Sequence, residues 1–170
     1  MASADTVVVA HGKSEVILCE NLRKLMRFNL QIYSAGGGEE TIALPQIEEL
    51  FETGFFSDPK NIVKKYGDAI EHNSSKSKDM FPKLKIFTLM DIDGNFRRGR
   101  YMSGQMFNGL PLGDKVIPIY NDDNLDEVMD SIGMKVDRNN KARSYAEMTR
   151  KLDVLDFYNR LLRCENTNMD

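Results

Sequence analysis

The chain has 170 residues, with 41% hydrophobic and 29% charged side chains and a formal net charge of −3. That length and composition suit one soluble globular domain able to bury a real core. The slight acidity argues against nonspecific nucleic-acid binding by the whole surface. No apolar run approaches the roughly 20 residues that span a bilayer. The start, MASADTVVVA, lacks the basic region of a signal peptide. Cys19 and Cys164 are far apart and without metal-ligand spacing, which predicts reduced packing or surface residues in a cytoplasmic chain.

In chain order, Thr6–Ala10 (TVVVA) reads as a first strand, stopping at His11-Gly12. Ser14 is the expected N-cap of a helix whose apolar positions are Val16, Ile17, Cys19, Leu22, Leu25 and Met26. Asn29–Tyr33 (NLQIY) reads as a second strand. Gly36-Gly37-Gly38 follows, expected as a flexible connector or as a turn that brings backbone N–H groups toward a phosphate. Ile42, Leu44, Ile47, Leu50 and Phe51 predict an amphipathic helix starting around Thr41.

Asp58-Pro59 starts a further helix through Asn61, Ile62, Val63 and Tyr66, within a helical insertion over residues 55–82. Its polar stretch Asn73–Lys78 and His72 are read as surface. Lys85–Asn95 (KIFTLMDIDGN) is the most informative stretch. An apolar, β-favouring run ends in Asp91 and Asp93, then Gly94. Such a run suits a strand of a parallel sheet buried on both faces. Carboxylates at its carboxyl end sit where open α/β sheets bind ligands. Their i, i+2 spacing and oxygen donors suit Mg²⁺ or Mn²⁺. Turn chemistry alone is the competing explanation, since Asp and Gly are good turn formers.

Phe96–Leu112, with three glycines and three arginines, predicts a loop with a short helix near Ser103–Phe107. Lys115–Tyr120 (KVIPIY) is a strand that Pro118 confines to an edge or a bulge. Asn124–Ile132 reads as a helix. Residues 144–164 read as one long amphipathic helix, a core face or a face for a homo-oligomer. The lysines and arginines at 60–100 precede an acidic group that includes Asp122, Asp123, Asp126, Glu127 and Asp130. A basic zone beside an acidic site suits a phosphodiester, although a solvated mixed-charge face is the simpler account. Together the elements predict an α/β fold, a mostly parallel Toprim-like or Rossmann-like sheet of about four strands flanked by helices. One domain is expected, with a core over about residues 5–135.

Two motifs fail on spacing. Gly12-Lys13-Ser14 lacks the leading glycine of a phosphate-binding P-loop, Val7 standing there. Asp91-Ile92-Asp93-Gly94 opens like a calcium-binding EF-hand loop, but Met102 occupies the position of its closing glutamate. The same DIDGN is similar to the DxDGT of haloacid-dehalogenase-like phosphatases, with Asp91 as nucleophile, Asp93 as general acid and Asp122-Asp123 as a distal acidic pair. That motif normally opens its domain, and Asn95 replaces its Thr.

The order of TVVVA, the turn His11-Gly12-Lys13-Ser14-Glu15, a helix, a strand and then FTLMD with Asp91-x-Asp93 resembles the Toprim domain. The likeness covers about the first 125 residues. It is nearer to small nucleases and phage-defence members of the overcoming-lysogenization-defect type than to topoisomerases, since Asn95 replaces a third Asp. The resemblance implies a metal-dependent nuclease. Asp91, Asp93 and Glu15 would hold Mg²⁺ or Mn²⁺, Glu15, His11 and Lys13 would serve catalysis, and Arg97, Arg98 and Arg100 would contact phosphate. His11 stands where the family has a strand-end glutamate. A catalytically silent binding module with a protein partner is therefore the alternative reading, and the haloacid-dehalogenase-like phosphatase a further one.

Overall fold

The structure is a computed structural model that describes residues 5–27, 29–74, 77–92, 94–122, 124–151, 153–161, 163, 167 and 168. Asp93, Asp123, Cys164, Lys76, Leu152 and Leu162 lie outside the described residues, as do the side chains of Met26, Leu155, Tyr158 and Leu161. The apolar runs form four strands: β1 (Thr6–Ala10), β2 (Leu30–Tyr33), β3 (Lys85–Asp91) and β4 (Val116–Asn121). All neighbours pair in parallel, in the order β2-β1-β3-β4. The fold is the α/β class the sequence predicts.

Alternation within β1 sorts its side chains onto two faces. Val7 and Val9 join Ile86 and Met90 in a core with Ile47 and Phe51 of α2 (Leu44–Glu52), Ile62 of α3 (Lys60–Tyr66) and Tyr101 of α4 (Arg98–Met102). Val8 and Leu89 pack on the other face with Cys19 of α1 (Lys13–Met26). Beyond them Leu18 meets Val128 of α5 (Leu125–Ser131), Tyr145 of α6 (Lys141–Arg150) and Phe157 of α7 (Val154–Leu161). Helices on both faces explain why β1 and β3 read as largely apolar runs. β4 lies at the sheet edge, where the missing N–H of Pro118 is tolerated.

Several boundaries differ from the sequence reading. The cap of α1 is Gly12, not Ser14. The Gly12 N–H donates to Glu15 Oε2 at 2.9 Å, the reciprocal half of a capping box. The second helix starts at Leu44, because Ile42 N–H is drawn to the His11 carbonyl at 2.8 Å and keeps the chain extended. The three glycines form a 3₁₀ turn against α1 rather than a slack connector. Gly38 is required there. Its φ is +95°, and a Cβ would come within 3.0 Å of Val16 Cγ2 and 3.3 Å of Lys13 Cα. The loop after β3 carries α4, and the helix expected near Ser103 is a 3₁₀ turn at Gln105–Phe107.

The predicted single C-terminal helix is two, α6 and α7. Asp153 separates them: its Oδ1 accepts the Asp156 N–H at 3.0 Å, starting α7 afresh. No helix among the described residues is long and apolar enough to cross a membrane.

Candidate functional site

After β1 the chain winds to β2 on one side, and β3 then joins the other side of β1. The carboxyl ends of β1 and β3 therefore flank a switch point, where an open α/β sheet leaves a crevice. A cleft of about 470 Å³ lies there, walled by His11, Glu15 and Asp91, with Lys13, Arg138 and Lys141 among its cationic residues.

His11 is clamped to Ile42 twice. Its carbonyl accepts the Ile42 N–H, and its Nδ1 lies 2.8 Å from the Ile42 carbonyl. A carbonyl only accepts, so the hydrogen bond assigns the proton to Nδ1. Nε2 is left facing Asp91 Oδ2 at 3.8 Å. The other oxygen of Asp91, Oδ1, accepts from Asn121 Nδ2 at 3.0 Å. Asn121 ends β4 and is fully buried.

Glu15 is only 3% exposed. Burial raises its carboxyl above the ordinary carboxylate range, and the negative charge of Asp91 adds to this. Backbone N–H groups at the helix start and the neighbouring His11 pull the other way without cancelling it. The cleft thus holds a carboxyl group that is more basic than usual.

A second buried acid stands behind it. Asp126 accepts from the Tyr145 hydroxyl at 2.8 Å and pairs with Lys141 Nζ at 2.5 Å. Lys141 also reaches Ser14 Oγ at 3.2 Å. Burial, the bond to Asp126 and nearby negative charge all push the Tyr145 phenol far above its ordinary range. Here the charge is compensated, and the network fastens α6 to α1 and α5.

Of the residues singled out from sequence, His11, Lys13, Glu15 and Asp91 converge on the cleft. Lys13 is also paired with Glu39 at 2.7 Å in solvent. The three arginines are placed elsewhere. Arg97 and Arg100 both hold Glu48 of α2, and Arg98 holds Asp122 at 3.2 Å. None of the three lines the cleft. Sequence reasoning did not assign Asn121, Arg138, Lys141 or Tyr145 to the site. Asn121 was visible as the polar end of a strand, whereas Arg138 and Lys141 lie in a polar stretch with no motif. Cys19 is buried, and desolvation pushes its thiol up to about 12, so it is a packing residue.

Among the described residues, no group of three His, Cys, Asp or Glu side chains has the spacing to enclose a metal ion. Asp91 facing His11, beside Glu15, is an open donor set. It fits a hydrated Mg²⁺ or Mn²⁺ held by one or two carboxylates and completed by water and substrate oxygens better than a closed cage. The chain matches no protein-family model, no curated protein and no solved structure.

Proposed function

We propose that the cleft is a Toprim-like, divalent-cation-dependent phosphodiester site and that the protein is a nuclease. The observation that carries this is the meeting of Asp91, His11 and the buried Glu15 at the switch point of a parallel sheet. Asp91, with Asp93 beyond it in sequence, would hold Mg²⁺ or Mn²⁺. When bound, the cation polarises the phosphodiester and offsets charge on the leaving oxygen.

The protein's own groups have separate tasks. Glu15, made more basic by burial, accepts a proton from the attacking water. His11, its Nδ1–H committed to Ile42, presents Nε2 to orient that water beside Asp91. Lys13, Arg138 and Lys141 line the cleft where phosphate oxygens would lie, each paired with a carboxylate, Glu39, Glu127 and Asp126, that a phosphate would have to share or displace. Arg98 and Arg100, half exposed beyond the cleft, are available to a longer substrate only by exchanging their carboxylate partners. Within this reading, a cytoplasmic role in phage defence or counter-defence follows from the Toprim resemblance.

The silent binding module is the second reading, favoured by His11 in the position of the family's glutamate.

Calorimetric titration with Mn²⁺ and Mg²⁺, paired with cleavage assays on single- and double-stranded DNA and RNA, tests the proposal. Wild-type protein is expected to bind the cation and cut. Asp91→Asn should lose about 100-fold or more in cation affinity, together with cleavage. Cleavage that survives in Asp91→Asn would overturn the assignment. Cation binding without cleavage of any nucleic acid would favour the binding module.

A further inference from the structure

Residues Thr167 and Asn168 follow α7 and return to the outer edge of β4. Thr167 forms an isolated antiparallel bridge with Asn121. Asn168 clasps the strand from outside. Its Oδ1 accepts the Tyr120 N–H at 2.7 Å, its Nδ2 donates to the Pro118 carbonyl at 3.0 Å, and its own N–H reaches the Tyr120 carbonyl at 3.3 Å. Pro118 and Tyr120 are two apart, so they turn their backbone groups to the same side of the strand. The clasp therefore covers an edge that would otherwise present unpaired backbone groups.

The contact also reaches the cleft. The Thr167 hydroxyl lies 3.1 Å from Asn121 Oδ1 and 2.8 Å from the Tyr120 carbonyl. On its other side, Asn121 gives its Nδ2 to Asp91 Oδ1 at 3.0 Å. An amide has one accepting and one donating end. The single proton of the Thr167 hydroxyl is shared between the Tyr120 carbonyl, the shorter contact, and Asn121 Oδ1, and that share supports from the far side the orientation in which the donating end points to Asp91. A flipped amide would set oxygen against a carboxylate. Asp91 Oδ2 is in turn directed to His11.

We propose that Thr167, acting through Asn121, is a positioning residue for Asp91, so that Thr167 belongs to the candidate site. The part of this that concerns cation binding rests on the nuclease reading; the part that concerns the orientation of Asp91 does not. Partners that orient metal-binding carboxylates commonly matter by about 10- to 100-fold in affinity.

The test compares wild type with Thr167→Val, which keeps the shape and removes the hydroxyl, and with Thr167→Ser, which restores it. The first readout needs neither cation nor substrate: the ¹³C resonance of the Asp91 carboxyl and the side-chain amide resonances of Asn121. Both should move in Thr167→Val and return in Thr167→Ser, while the Asp79 carboxyl, outside this chain of contacts, stays in place. Resonances unmoved in Thr167→Val would overturn the proposal. If Thr167→Val does not fold, Asn168→Ala releases the clasp without touching Asn121 and is read in the same way.

The second readout is Mn²⁺ affinity, expected to fall about 10-fold in Thr167→Val and to recover in Thr167→Ser. A wild type that binds no Mn²⁺ would count against the nuclease reading, and the carboxyl resonance would still decide the role of Thr167.

Discussion

The hollows at the two ends of the sheet are both lined by charge, and they hold it in opposite ways. Near the amino ends of β3 and β4, a hollow of about 540 Å³ is lined by Asp79, Asp114 and Lys115, among others. Lys115 is bonded to Asp79 at 3.0 Å and to Asp114 at 3.3 Å. Its partial desolvation is outweighed by those two carboxylates, which hold the ammonium above its ordinary range. The same bond holds Asp79 below the usual carboxylate range. Every shift there favours the charged form.

The smaller cleft at the carboxyl ends does the reverse at Glu15, whose charged form is disfavoured by burial and by Asp91. Size does not separate the two hollows, and neither does the number of charges. What separates them is whether the fold stabilises or opposes ionisation; burial alone opposes it at Cys19 too, and Glu15 differs in lining a cleft beside Asp91 and His11.

Four substitutions sharpen or break this contrast. The largest effect is expected from Lys141→Met. It strips the buried Asp126 of its cation and should cost about 2 kcal/mol, the usual loss for breaking a buried pair reduced because Lys141 is partly in solvent. Chemical denaturation at neutral pH measures it. A cost no larger than that of Lys115→Met would mean that Asp126 is no more dependent on its partner than the exposed acids are. Next, Tyr145→Phe removes one hydrogen bond to a buried carboxylate and should cost about 1–2 kcal/mol in the same assay. Lys115→Met should stay within about 1 kcal/mol, because the carboxylates it leaves are open to water.

Glu15→Gln carries the opposite sign. The folded protein holds the Glu15 carboxyl above its unfolded range, so it binds the proton more tightly than the unfolded chain does. The ionised residue therefore costs stability above its raised range, and that cost fades as pH falls through it. Thermal melts should show Glu15→Gln more stable than wild type at neutral pH, with the gain shrinking as the solution is acidified toward the ordinary carboxylate range. A variant that is less stable at neutral pH would show that the backbone N–H groups and His11, which favour the charged carboxylate, outweigh the desolvation of Glu15.

The chain's own pattern determined the strands, their burial and the placing of Asp91. β1 and β3 are largely apolar runs, broken within β3 only by Thr88, whose hydroxyl is bonded to Tyr101, so a sheet covered on both sides suits them. A carboxylate at the end of such a run falls at the rim where that sheet opens. Pro118 announced an edge strand because proline lacks the donor an inner strand must supply. These are local facts, read from neighbours in sequence. The break between α6 and α7 was also local, but the amphipathic stripe runs on through it and hides the capping by Asp153.

The tertiary structure alone decided the rest. Ser14 and Lys141 meet across 127 positions, and Asn121 and Thr167 across 46. No periodicity in the sequence encodes such pairings. Lysines and arginines also look alike in sequence whether they face a cleft or a carboxylate. Packing sent Arg97 and Arg100 to Glu48 on α2, away from the cleft, and set Lys141 and Arg138, paired with Asp126 and Glu127, at its wall. The raised range of Glu15 is likewise not a property of glutamate at a helix start, where the dipole favours the charge. It exists because the packed helices and sheet exclude water from the carboxyl and set Asp91 nearby, and desolvation then outweighs the local field.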